Sequence, residues 1–177
     1  MSWKTLHTKV LLNHPRIVVA EDEIELPDGH LSKYVYFKDH PDAAMVIATK
    51  GDEILIQKEY SYPPNRYLYQ LPGGALELGE DPVSGALREL SEESGYTASV
   101  DSTITNLGYF YINNRRSDAK MHIVHITDPL ATTATKPDPE EYITSEWITI
   151  HKLRKMIANG EIVNYSLLAG MSLYDNR

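Results

Sequence analysis

The sequence predicts an α+β fold, a mixed β-sheet sandwiched by helices. Short segments with continuous or alternating apolar residues dominate the chain and indicate strands. One segment with helical spacing lies near the middle, and two more follow at the C-terminal end. At 177 residues the chain is long enough for one domain with a proper core and short for two. Helices packed on a sheet are the arrangement that this order favours.

Residues 1–40 are predicted to form an N-terminal β-region. The stretch 16–26 alternates after an apolar start, and 31–37 alternates again. The Asp28-Gly29 pair between them is typical of a turn. We expect this region to belong to the same folded unit as the domain formed by residues 41–177.

The next segments lead towards the middle of the chain. Residues 43–60 are predicted to form two apolar strands around a turn at 50–52. The stretch SYPPNRY, at 61–67, is predicted to be a loop. A short segment ending in Gly73-Gly74 then follows.

A helix is predicted from about residue 82 to residue 94. Asp81 is a favourable N-cap, and Pro82 suits the first helical position. Apolar residues then recur at helical spacing, and Gly95 suits the C-cap. The predicted helix therefore has favourable capping residues at both ends.

The C-terminal part is predicted to hold further strands and two helices. The strands cover 105–113, 120–127 and 141–150. The helices cover 151–160, where an Asn-Gly pair ends the first, and 163–174.

Composition excludes several classes of function. The chain carries a net charge of −8, which does not suit nonspecific nucleic-acid binding, so no nucleic-acid partner is expected. No apolar run approaches the roughly 20 residues that a membrane helix needs, and the N-terminus has no signal-peptide pattern. The absence of cysteine fits a reducing compartment. We therefore expect a cytoplasmic protein without a membrane partner.

The predicted central helix carries a cluster of acids. Glu89, Glu92 and Glu93 stand at i, i+3 and i+4 and share one helix face. Their mutual repulsion would be relieved by a divalent cation, and oxygen ligands favour Mg²⁺ or Mn²⁺. The alternative is a solvated helix face that tolerates the charges.

These acids belong to a longer pattern. From Gly74 onwards the sequence follows G-x5-E-x7-R-E-U-x-E-E-x-G-U, where U is a bulky aliphatic residue. This pattern resembles the Nudix box. Only the last position departs, because Tyr96 replaces the aliphatic residue, and tyrosine still packs. The matching residues are Gly74, Glu80, Arg88, Glu89, Leu90, Glu92, Glu93 and Gly95.

The resemblance implies a Nudix fold and Mg²⁺-dependent hydrolysis of the pyrophosphate bond in a nucleoside diphosphate linked to another group, with Mn²⁺ able to substitute. It implies that Glu89, Glu92, Glu93 and the Gly73 carbonyl hold the metal, and that Glu92 and Glu93 take part in catalysis. Glu77 is an alternative member of the metal cluster, or an exposed loop acid. The residues with structural roles in the box are Gly74, Glu80, Arg88 and Gly95.

Residues 15–172 also resemble ADP-ribose pyrophosphatases and related nucleoside-diphosphate-sugar hydrolases. The likeness lies in EILIQKEYSYPPNRYLYQLPGG, at 53–74, and in Asn-Gly-Glu-Ile at 159–162. It implies an ADP-ribose or nucleotide-sugar substrate and a homodimer in which the N-terminal β-region takes part. Three features depart from this branch. Ser61 replaces the arginine of its Gln-Tyr-Arg motif, and its Ser-Pro-Gly after the box is missing. The acid that the branch often places in this loop, as base or metal ligand, would fall near Asp118 or Ala119.

The remaining candidates lie outside the box. Asp118 is the candidate general base, with a turn aspartate as the alternative. Arg115 and Arg116, in the same predicted loop, are candidates for phosphate contacts or are solvated charges. Tyr36 and Tyr60 are candidates for stacking on a nucleobase, although tyrosines in strands more often pack.

Two other functions stay open from the sequence. One is a nucleoside triphosphate or RNA-end pyrophosphohydrolase, although the composition shows no basic channel for RNA. The other is a non-catalytic Nudix module that senses a nucleotide. The intact box acids and the lack of room for a second domain argue against this module.

Overall fold

The structure is a computed structural model that describes residues 2–132 and 142–176. The chain divides into two compact units. The first comprises Met1–Pro41 with Tyr111–Lys120, and the second comprises Asp42–Phe110 with Met121–Arg177. Each unit is described in turn.

The first unit contains a three-stranded antiparallel sheet. Strands β1 (Lys4–His14), β2 (Ile17–Glu25) and β3 (Leu31–Lys38) are adjacent in chain order. In the turn between β2 and β3, the Leu26 N–H donates to the His30 carbonyl. The predicted N-terminal β-region is thus confirmed, with the turn at the Asp-Gly pair.

Residues 111–120 join this first unit by contacts with β3. The Phe37 N–H donates to the Arg116 carbonyl at 2.7 Å, and the Tyr34 hydroxyl donates to the Arg115 carbonyl. The Arg116 guanidinium lies over the Tyr34 ring and donates to the Val35 carbonyl at 3.2 Å. The pattern of apolar residues does not predict this association, because the two segments are far apart in the sequence.

The second unit contains nine strands and three helices among the described residues. In chain order they are β4 (Ala43–Lys50), β5 (Glu53–Ser61), β6 (Arg66–Gln70), β7 (Gly73–Ala75), α1 (Pro82–Ser94), β8 (Tyr96–Thr97), β9 (Ile104–Tyr111), β10 (Lys120–Thr127), β11 (Leu130–Ala131), β12 (Ile143–Thr149), α2 (Ile150–Ala158) and α3 (Tyr165–Asp175). Seven of the strands form a mixed sheet with the order β12-β5-β4-β10-β9, in which β6 pairs with β5 and β7 with β4. Strands β4 and β10 are parallel, whereas β5 is antiparallel to both β4 and β12. A separate short pair joins β8 to β11.

Helices cover both faces of this sheet. On one face, alternate residues of β4 pack with Ala86 and Leu90 of α1 in a buried cluster. On the other face, α3 lies so close that a Cβ on Gly170 would be 3.0 Å from Leu71 and 3.5 Å from Ile123. The predicted α+β fold, a mixed sheet sandwiched by helices, is confirmed.

Most predicted elements agree with the structure, and the differences lie at their ends. The predicted loop at 61–67 is shorter, since β5 continues to Ser61 and β6 begins at Arg66. Strands β6, β7, β8 and β11 were not predicted, and the last three have only two or three residues, too few for a periodic signal. The predicted strand at 141–150 corresponds to β12, and its first residue lies outside the described residues. In the described part of the chain, no helix is long and apolar enough to cross a membrane.

Candidate metal and pyrophosphate site

Helix α1 is the element that positions the acidic side chains. The Asp81 carboxylate accepts hydrogen bonds from the Val83 and Ser84 N–H groups, and Pro82 begins the helix. Gly95 ends it with a left-handed φ of 70°, and its N–H donates to the Ser91 carbonyl. The predicted caps and boundaries of this helix are therefore confirmed.

Arg88 connects three of the acids through charged hydrogen bonds. Its Nε donates to Glu80 Oε1 and its Nη2 to Glu80 Oε2, both at 3.0 Å, which gives a bidentate pair. Its Nη1 donates to Glu89 Oε1 at 2.8 Å and to Glu92 Oε2 at 3.1 Å. One guanidinium thus ties the loop before α1 to the helix, while three carboxylates surround a single positive charge.

The surroundings shift the pKa values of two of these carboxyl groups in opposite directions. Hydrogen bonds from Arg88, and then from the Glu77 backbone N–H, lower the pKa of Glu80. Burial raises the pKa of Glu89, although Arg88 counteracts part of this effect. Glu89 is therefore a desolvated carboxylate whose negative charge Arg88 compensates only in part.

Glu93 is held separately, on the side of the helix that faces β5 and β7. Its Oε2 atom accepts hydrogen bonds from the Gly73 N–H at 2.9 Å and from Gln57 Nε2 at 3.2 Å. Gln57 is fully buried in the sheet. Donors from two separate strands therefore fix the orientation of this carboxylate.

Gly73 and the box residue Gly74 both lie where an added Cβ would meet close neighbours. A Cβ on Gly73 would overlap the Ala44 carbonyl oxygen and lie 2.7 Å from the Met45 Cα, at a φ of +142°. A Cβ on Gly74 would lie 2.8 Å from Glu89 Oε1. These glycines let β7 run directly against the carboxylates of α1.

The residues present fit a hard divalent cation. Among the residues that the structure describes, no three His, Asp or Glu side chains are already gathered as ligands. The donors are nevertheless all oxygen, since Glu89, Glu92, Glu93 and the Gly73 carbonyl belong to adjacent segments. The absence of a Cβ on Gly74 lets the backbone approach the Glu89 carboxylate, and the Gln57 Oε1 atom is buried without a hydrogen-bond partner. Both features suit a bound cation with its water.

The structure places the predicted site residues in two groups. The second unit contains the box residues and Tyr60, whose hydroxyl donates to Asn65 Oδ1 at 2.6 Å and whose ring meets Tyr67 edge to face. The first unit contains Asp118, Arg115, Arg116 and Tyr36. The Tyr36 hydroxyl donates to Asp22 at 3.3 Å. Tyr60 and Tyr36 thus have partners within their own sheets.

The sequence analysis missed a row of polar side chains on strand β5, which contacts Glu93 of α1 through Gln57. Besides Gln57, this row contains Glu59, whose carboxylate accepts a hydrogen bond from Gln70 Nε2 at 2.6 Å. A usable signal was present, because Gln57 directly follows three apolar residues in EILIQKEY. A glutamine inside such a buried strand requires a polar partner.

Comparison with known proteins agrees with this geometry. The NUDIX domain model matches residues 38–169. An ADP-ribose pyrophosphatase of Bacillus subtilis is 32% identical over 162 residues, covering 90% of this chain and 85% of that protein. An ADP-ribose pyrophosphatase of Mycobacterium tuberculosis is 27% identical over 177 residues, covering 97% and 80%. A solved structure of an ADP compounds hydrolase superposes with a TM-score of 0.88 at 18% identity, covering 99% and 94%.

A capped acidic helix packed against strand β7 of a mixed sheet is the architecture of a Nudix fold. The chain belongs to the Nudix family. It is a hydrolase of nucleoside diphosphates linked to another group, and enzymes of this family use a divalent metal.

Replacing Arg88 with alanine is expected to lower the free energy of unfolding by about 2–3 kcal/mol, because three partly buried carboxylates lose their shared donor. The difference from wild type should shrink as the pH falls. The lowered pKa of Glu80 means that its pairing stabilises the fold above its unfolded pKa and is lost as the pH falls through the folded value. Urea unfolding in chelator at several pH values measures this.

Arg154→Ala is the matched control. Arg154 Nη2 binds Asp175 at 2.6 Å, but both side chains are exposed, so its loss should cost at most about 1 kcal/mol. Equal effects of the two substitutions would mean that the Arg88 network does not stabilise the fold.

Proposed function

We propose that the protein hydrolyses ADP-ribose or another nucleotide sugar with Mg²⁺, releasing a nucleoside monophosphate and a sugar phosphate. The observation that carries this proposal is the placement of the α1 carboxylates against strand β7, where Glu93 accepts a hydrogen bond from the Gly73 N–H. The ADP-ribose pyrophosphatases that resemble nearly the whole chain support the choice of substrate.

In this proposal the chain's own residues prepare the site for an anionic substrate. Glu89, Glu92, Glu93 and the Gly73 carbonyl would hold the metal, which would neutralise charge on the diphosphate and activate a water molecule. The Gly73 N–H and the Gln57 amide keep Glu93 oriented, and Arg88 keeps Glu89 and Glu92 in place. Little covalent chemistry is required of the protein, so positioning and charge neutralisation account for the rate.

The parts assigned to the first unit rest on the sequence. We propose Asp118 as the general base because it is the single acid between Asp101 and Asp128. Of the two arginines, Arg115 is the better candidate for a phosphate contact, since the Arg116 guanidinium already donates to two backbone carbonyls and lies over Tyr34. Stacking of a nucleobase on Tyr36 or Tyr60 remains a prediction.

A substrate panel with identification of the products tests the proposed function. The panel contains ADP-ribose, GDP-mannose, UDP-glucose, NADH, diadenosine polyphosphates, deoxynucleoside triphosphates and a 5′-triphosphate RNA, each with Mg²⁺. AMP and ribose 5-phosphate from ADP-ribose would support the proposal. Release of pyrophosphate from a triphosphate alone would move the protein to another branch. If the folded protein acted on none of them, a nucleotide-sensing role would be favoured.

We further propose that the protein is cytoplasmic and has no nucleic-acid partner.

We also propose that it forms a homodimer through β1. All eleven residues of β1 are exposed, and Leu6, Val10, Leu11 and Leu12 each expose nearly half of their surface. An edge strand with this much apolar surface is unfavourable in water, so a second copy of the chain is the partner that we infer.

Light scattering of the wild-type protein should therefore give the mass of two chains. Substituting glutamate for Val10 and Leu12 together is expected to give one chain, because charges on this strand oppose its burial. Val100→Glu is the control, since Val100 is fully exposed in the second unit. A wild-type protein with the mass of one chain would reject the dimer.

A further inference from the structure

Gln57 is a buried amide that packing does not explain. It lies inside β5, between Ser145 of β12 and Gln70 of β6, and none of its surface is exposed. Because side chains alternate along a strand, Gln57 faces the same side as Leu55, which packs in the core beneath α1. An apolar side chain would suit this position better if packing were its only task.

Only one of the two polar atoms of the Gln57 amide forms a hydrogen bond. Its Nε2 donates to Glu93 Oε2 at 3.2 Å, whereas its Oε1 is buried without a hydrogen-bond partner. The orientation of the amide is determined by its neighbour, because turning it over would place its oxygen against the carboxylate oxygen. The unpartnered atom is therefore an acceptor beside the acidic site, and an unpaired buried acceptor destabilises the fold.

We propose that Gln57 is a positioning residue for the metal site, an inference that rests on the proposed function. Its amide nitrogen would orient Glu93 as a ligand, and its amide oxygen would gain a donor from the hydration of a bound cation. Ligand orientation by a second hydrogen-bonded residue is a general means of strengthening metal binding. The stability that the unpartnered oxygen costs the metal-free protein would then be recovered on metal binding.

This role predicts a loss of metal affinity without a matching loss of stability. Gln57→Met keeps an unbranched side chain of similar length and removes both polar atoms. The dissociation constant for Mn²⁺, measured from the electron paramagnetic resonance signal of free Mn²⁺, should rise about tenfold. The Mg²⁺ concentration for half-maximal activity should rise by a similar factor. In chelator, the melting temperature should stay within about 2 °C of wild type, because removal of the unpaired acceptor offsets loss of the hydrogen bond to Glu93.

Gln70→Met is the matched control. Gln70 is the cross-strand neighbour of Gln57, and its amide donates to Glu59 rather than to a proposed ligand. Its replacement should leave the Mn²⁺ dissociation constant within about twofold of wild type. Gln57→Leu provides a second apolar variant in case the methionine side chain does not allow folding.

The outcomes separate this inference from the proposed function. If wild type binds Mn²⁺ and both Gln57 variants bind it equally well, the positioning role is wrong and the proposed function stands. The role is also wrong if Gln57→Met and Gln70→Met weaken Mn²⁺ binding equally, or if the Gln57 variants lose affinity only in proportion to a lower melting temperature. A wild-type protein that binds no Mn²⁺ would overturn the proposed metal site itself.

Discussion

Glu93→Gln should fold as the wild type does and lose at least roughly 100-fold in turnover, in line with removal of a main charge-stabilising element. The amide can still accept hydrogen bonds from the Gly73 N–H and Gln57, so the packing around residue 93 is preserved. What the variant lacks is the negative charge of a metal ligand. Steady-state rates with ADP-ribose and Mg²⁺, together with the unfolding curve, measure both effects.

Glu146→Gln is the control for this substitution, since Glu146 is exposed on β12 and lies outside the box. Its turnover should equal that of wild type within experimental error. Near-normal turnover of Glu93→Gln would remove Glu93 from the proposed ligands. A large loss of stability in that variant would instead indicate that the charge of Glu93 serves the fold.

Gly73→Ala should lower the free energy of unfolding by roughly 3–5 kcal/mol, because it combines a strained backbone with an overlap against backbone atoms. The added Cβ would meet the Ala44 carbonyl oxygen and the Met45 Cα, neither of which can turn aside as a flexible side chain would. Any relief must shift β7 away from β4. Such a shift also moves the donor of Glu93, so activity should fall further than the loss of folded protein explains.

Gly160→Ala separates the two causes of this destabilisation. Gly160 also has a positive φ, of 74°, but a Cβ there would meet nothing within 4 Å. Its substitution should cost about 1 kcal/mol, which is the backbone cost alone. Equal costs at both positions, measured by urea unfolding, would show that the close approach of β7 to β4 is not required.

Helix α1 was predictable because its signals are local. Asp81, Pro82 and Gly95 act within one turn of the residues that they cap, so the sequence and the structure give the same boundaries. The box spacing likewise places Glu80 and Arg88 eight residues apart, a distance that the loop and the helix bridge with a bidentate pair.

Other features depend on contacts between distant parts of the chain. The association of residues 111–120 with β3 joins positions about 80 residues apart, as in the bond between Phe37 and Arg116. The sequence also predicts that the three glutamates share one helix face. It does not predict that Arg88 donates hydrogen bonds to Glu89 and Glu92. Nor does it predict that Gly73 and Gln57 donate to Glu93. Such choices among acceptors follow from side-chain geometry, which residue spacing does not specify.

The central claim is that the carboxylates of α1 hold a divalent metal against a pyrophosphate. The most direct measurement is the rate of ADP-ribose hydrolysis during a Mg²⁺ titration that starts from metal-free protein, with AMP and ribose 5-phosphate quantified at each step. We expect no product in chelator and a saturable rise of both products in equal amounts as Mg²⁺ is added. Equal rates with and without chelator, or no hydrolysis by folded protein at saturating Mg²⁺, would contradict the claim.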